Sequence, residues 1–69
     1  MPTFEIEAEY LHLYVGRRAT FAGLTFTILA VRYEPERGRV LVEIEHPWFA
    51  QLEAEFAANQ VLEVEHAAA

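Results

Sequence analysis

Three short stretches of this chain alternate an apolar residue with glutamate: Phe4-Glu5-Ile6-Glu7, Val42-Glu43-Ile44-Glu45-His46 and Leu62-Glu63-Val64-Glu65-His66. Period-two alternation sends successive side chains to opposite faces of an extended strand, giving each stretch one face for a core and one for water. An alternating strand with a wet glutamate face explains the recurrence without internal duplication. The chain is therefore built on antiparallel β structure. Directly opposed like charges destabilise a sheet, so these glutamate faces are expected to pair with arginine-bearing neighbours around Arg32 or Arg39.

The longest β-prone run, Leu24 to Tyr33, changes phase part-way. Leu24, Phe26 and Ile28 share one face, after which the apolar set becomes Leu29, Val31 and Tyr33. A bulge or sharp bend re-aims side chains in this way at the corner of a small barrel; a central strand covered on both faces is the alternative. Glu34-Pro35-Glu36-Arg37-Gly38 is a turn, because proline presets its φ and glycine supplies a positive φ at the exit. Val40, Val42 and Ile44 then return along the core face, completing a hairpin over Leu24–His46. Ala22-Gly23 joins a short strand, Ala19-Thr20-Phe21, to this run through a tight turn.

Two segments are less determined. Tyr10-Leu11-His12-Leu13-Tyr14-Val15 alternates like a strand, but a strand from Thr3 to Val15 would be very long. A helical or 3₁₀ turn closing at Gly16 is the preferred reading. From Pro47 the spacing of Trp48, Leu52 and Phe56, with Phe49, falls on one helical stripe, so a helix is predicted over about 47–58, with proline in its first turn and Asn59 at its stop. The fold expected is mainly β (α+β). It has five strands in a strongly bent antiparallel sheet or an SH3-like/OB-like partial barrel, with one helix before the last strand. An antiparallel sheet with the helix packed on one face is the second choice. Phe4, Phe21, Phe26, Phe49 and Phe56 are expected in the core.

Sixty-nine residues make one domain, read here as 1–69 with a frayed tail at 67–69, and a chain this short buries only about 60% of its unfolded surface. With no cysteine it has neither disulfides nor thiolate metal sites, so such a domain relies on dense packing or on other chains. Its hydrophobic fraction of 54% exceeds the roughly 45–50% of ordinary globular proteins. That excess points to burial against a partner or a second copy, and a homo-oligomer is expected. All eleven acidic residues are glutamate and all five basic ones arginine, a composition that fits a thermophilic source. The net charge of −6 argues against nucleic acid as a partner, since that binding depends on neutralising phosphates. No basic leader or membrane-length apolar run is present, so no membrane association is expected and the location read is cytoplasmic.

The chemistry-bearing residues are sparse. His46 and His66 each follow a glutamate, and adjacent strand residues face opposite ways, so neither Glu-His pair converges on a metal. Without serine, cysteine or lysine, nucleophilic catalysis has little to work with. Gly16, Gly23 and Gly38 sit at separate turns and form no phosphate loop. No catalytic residue, cofactor or metal site is assigned. The reading is a non-enzymatic interaction module (an adaptor, accessory subunit or self-assembling protein) using Trp48, Tyr10, Tyr14 and His12 or a sheet edge. Two alternatives stand beside it: an acidic inhibitor or nucleic-acid mimic that fills a basic groove, and a small ligand-binding or enzymatic barrel.

Overall fold

The computed structural model describes residues 2–66, apart from the side chain of Phe49. The tail expected at 67–69 and the core position expected for Phe49 lie outside the described residues. Six antiparallel strands form one open sheet in the order β1-β6-β2-β3-β4-β5. These are β1 (Thr3–Glu7), β2 (Arg18–Phe21), β3 (Leu24–Glu34), β4 (Arg39–His46), β5 (Phe49–Ala57) and β6 (Val61–Glu65). The alternating stretches become β1, β4 and β6. In the β1–β6 ladder Phe4 faces Val64 and Ile6 faces Leu62, so the apolar sets meet on one side.

The phase change in β3 is a bulge. Ile28 pairs with Ile44 and Ala30 with Glu43, leaving Leu29 as the extra residue. The bulge returns Val31 and Tyr33 to the face of Phe26 and Ile28, where they meet Val42 and Val40. It also bends the sheet. Phe21 in β2 and Phe56 in β5 are separated by two strands, yet their rings pack edge to face with centroids 5.1 Å apart. In a flat sheet strands so placed stand about 14 Å apart, three spacings of ~4.8 Å. The core face is therefore concave, lined by Phe26, Ile28, Val40, Val42, Leu62 and Val64, all buried.

The helix predicted over 47–58 is instead β5, so the sheet has six strands rather than five, and it does not close. Leu52 and Phe56, four residues apart, satisfy either period, because two strand repeats and one helical turn both return a side chain to the same face. Pairing with β4 decides between them: Leu52, Ala54 and Phe56 lie opposite Ile44, Val42 and Val40, while Glu53 and Glu55 face the other way. Pro47 and Trp48 form the connecting turn.

The Tyr10 segment is a 3₁₀ helix over Ala8–Tyr14. Residues three apart eclipse in such a helix, so Ala8, Leu11 and Tyr14 form its inward row. Ala8 and Leu11 are fully buried and Tyr14 is half-buried. The helix is tied to the β5–β6 connection by two backbone bonds, Ala8 N–H to Gln60 O at 2.8 Å and Glu9 N–H to Ala58 O at 3.0 Å. Ala22 and Gly23 make the β2–β3 turn, both with positive φ (52° and 81°). No helix among the described residues is long and apolar enough to cross a membrane.

Candidate interaction surface

The residues proposed from sequence for partner contact occupy separate places. Trp48 caps the β4–β5 turn and is 83% exposed. Its ring is nonetheless held, edge to face with His46 at 5.4 Å, and its backbone N–H donates to His46 Nδ1 at 3.1 Å. Tyr10, His12 and Tyr14 share the 3₁₀ helix but not a face. Tyr14 turns inward against Phe4, ring centroids 5.1 Å apart, beneath the Arg17 guanidinium. His12 is exposed with Nδ1 3.2 Å from the Glu9 carbonyl oxygen. Tyr10 points outward beside Glu7 and Val61, with Leu13 exposed on the same row. The Tyr10 hydroxyl's hydrogen bond to Glu9, reinforced by the carboxylates of Glu9 and Glu7, raises its pKa above the ordinary phenol value. Tyr10, His12 and Tyr14 therefore form no continuous aromatic stripe.

The outer face of β3–β4–β5 carries most of the organised charge. Arg39 lies at its centre of pairing, with Nε on Glu34 Oε1 and Nη1 3.4 Å from Glu55. The Arg39 hydrogen bond holds the Glu34 carboxyl below the usual carboxylate range, and the same bond raises the Arg39 guanidinium. Arg18 likewise bridges to Glu65 at 3.0 Å. Of the glutamates in the three alternating stretches, Glu65 meets an arginine, but that arginine is Arg18; the partners of Arg32 and Arg39 are Glu34 and Glu55, outside those stretches, and at two ladder positions glutamate meets glutamate. Glu5 lies directly opposite Glu63, and Glu43 directly opposite Glu53. Apolar registration on the core face fixes both ladders: sliding either strand by one residue would expose its buried row, a far larger cost than one carboxylate pair.

β5 is an edge strand, a role hidden by its helical spacing. It pairs with β4 on one side and, among the described residues, with nothing on the other. Its core-side Leu52 is 49% exposed because the concave sheet does not cover the end nearest Trp48. A shallow open cleft beside this hairpin is lined by Arg18, Thr25, Thr27, Glu45 and His46. Three of these side chains are engaged locally: Arg18 with Glu65, Thr25 with Thr20 at 2.9 Å, and His46 Nδ1 with the Trp48 N–H. No group of three or more His, Asp or Glu side chains among the described residues could hold a metal ion. No protein family, curated protein or solved structure matches this chain.

Proposed function

We infer that this chain is a non-enzymatic protein-interaction module whose contact surface is the Trp48 hairpin and the adjoining edge of β5. The observation that carries the reading is the exposure of Trp48 at the β4–β5 turn. An indole at a wet hairpin tip adds little to folding, whereas aromatic anchors dominate binding energy at protein interfaces. Leu52 extends the apolar surface on the core side of the same hairpin, and Glu53 and Glu55 stand on its outer side. The location consistent with this reading is the cytoplasm, and the curled sheet serves as a small SH3-like scaffold presenting one hairpin.

The test pairs stability with capture. Trp48→Ala is expected to change stability by no more than about 0.5 kcal/mol, the range of ordinary surface substitutions. A photo-reactive phenylalanine analogue at position 48 should cross-link to a second chain or to another protein, and the same group at Glu36 should not. A loss of about 3 kcal/mol or more on truncation, as for a core tryptophan, would assign Trp48 to the fold and remove the basis of the reading.

A second reading is favoured by one observation. Glu43, Glu45, Glu53 and Glu55 share the outer face of β4–β5, the arrangement required of an acidic inhibitor that fills a basic groove. That role predicts association rates that fall steeply with salt.

A further inference from the structure

Sheets normally blunt their edges with short strands, proline, lysine or covering segments, because an unpaired row of N–H and C=O groups is a template for another strand. The two edges of this sheet differ. β1 has five residues and runs directly into the 3₁₀ helix. β5 has nine, and its stretch contains no proline, lysine or arginine. The charges on β5 do not point along the edge either. They stand on the outer face, in register with those of β4.

Charge on that face selects an occupant. A strand added to β5 would place its outward side chains beside Glu53 and Glu55 and its inward ones beside Leu52 and Ala54. Glu53 already opposes Glu43, and Arg39, the nearest arginine on β4, bonds Glu34 and Glu55. A cation in the next strand would sit opposite Glu53 and relieve a repulsion the fold leaves in place. A second copy of this chain does not supply one: β5 brings Glu53 and Glu55, and β1 brings Glu5 and Glu7.

We propose that β5 is a docking edge for a basic, extended segment of another protein, alternating Arg or Lys with apolar residues, which joins the sheet as a seventh strand. This rests on the interaction-module reading and names the partner's chemistry. Main-chain hydrogen bonds to β5 supply affinity, and Glu53, Glu55 and Leu52 select the alternation. The apolar positions of the incoming strand complete the concave face where Leu52 is uncovered.

The probe is a peptide of about eight residues, within the common strand range, alternating valine and arginine; its controls replace arginine by glutamate or insert a central proline. Each is titrated into the isotope-labelled full chain. The arginine peptide is expected to slow amide exchange along β5 and leave β1 unchanged. Its affinity should fall severalfold between about 0.05 M and about 0.5 M salt. Glu53→Gln and Glu55→Gln should each weaken binding by up to about fivefold, the upper range for one cross-strand charge pair. The doubly reversed E53R/E55R chain should prefer the glutamate peptide. Equal binding of both peptides, protection at β1 instead of β5, or β5 protection in the unliganded chain with a doubled mass would each overturn the assignment. Cross-linking through position 48 with β5 left unprotected would keep the interaction module and remove only this edge. Absence of both would remove the two together.

Discussion

The face-to-face glutamates in the β4–β5 ladder give the sharpest quantitative test of the fold. Glu43 and Glu53 are exposed and in direct register. Opposed Cβ atoms lie about 5 Å apart, which places exposed carboxylates about 6 Å apart. At that distance the Coulomb repulsion in a water-like dielectric is about 0.7 kcal/mol, and it grows where the sheet excludes water. Arg39 also attracts Glu53, but its contacts are with Glu34 and Glu55, so repulsion from Glu43 decides the sign. Glu53→Gln should therefore stabilise the domain, and Glu53→Arg, which converts repulsion to attraction, should do so about twice as strongly. For a domain of this size ~0.7 kcal/mol corresponds to a rise in Tm of about 3–6 °C. Salt supplies the internal control. Thermal melts followed by circular dichroism at about 0.01 M and about 1 M salt span Debye lengths of about 30 Å and about 3 Å, so most of the gain should vanish at the higher value. A Glu53→Gln variant with an unchanged spectrum and unchanged Tm at low salt would refute the register of β4 on β5. So would a gain that salt does not diminish.

Three further outcomes are expected. Ala22 occupies a left-handed conformation in the β2–β3 turn, so Ala22→Asn should stabilise by about 1 kcal/mol in denaturant titration, and a loss would contradict that turn. Leu62 is almost wholly buried, so Leu62→Ala should cost about 2–5 kcal/mol, much of the margin of a domain this small, and shift the urea midpoint accordingly. Glu34 titrates below its ordinary range because Arg39 bonds its charged form. Its contribution is present in full above the ordinary carboxylate range and is lost as pH falls through its lowered value. Glu34→Gln should accordingly flatten the acid limb of the stability–pH curve, and an unaltered limb would show that the Arg39 bond does not persist in solution.

Sequence patterning revealed most of the strands and hid one. β1, β4 and β6 are legible because each buries alternate residues on one side only. The bulge at Leu29 is legible because the apolar phase slips by one residue within an otherwise uninterrupted β-prone run. β5 is not, since spacings of four suit both helix and strand and its alanines favour helix. What resolves it is a neighbour: only the row Val40, Val42, Ile44 tells Leu52, Ala54 and Phe56 which period to obey. The candidate site suffered in consequence. Trp48 is legible from sequence as a candidate for partner contact at the edge of an apolar stripe, but its hairpin setting and the β5 edge depend on pairing across strands. The opposed glutamates escaped for the same reason, because charge register is set by apolar registration on the opposite face. Tyr14, grouped with Tyr10 and His12 by alternation, turns inward because a 3₁₀ helix repeats every three residues.

The β1–β6 ladder joins the most distant parts of the chain. Thr3 lies opposite Glu65, and the His66 N–H donates to the Pro2 carbonyl at 3.1 Å. All the residues between Thr3 and Glu65 must be gathered before these two can meet, and the entropy of closing so long a loop is spent before any contact there repays it. The β2–β3 and β3–β4 hairpins, which close over short turns, are thus the early structure, and β1 docks late. Linking residue 2 to residue 66 and reopening the chain within Pro35–Gly38 would make the most remote ladder local and the β3–β4 hairpin remote. The native contacts would be those described here, but the order of their assembly would be inverted, with β1 and β6 forming the nucleus on which β3 and β4 finally meet.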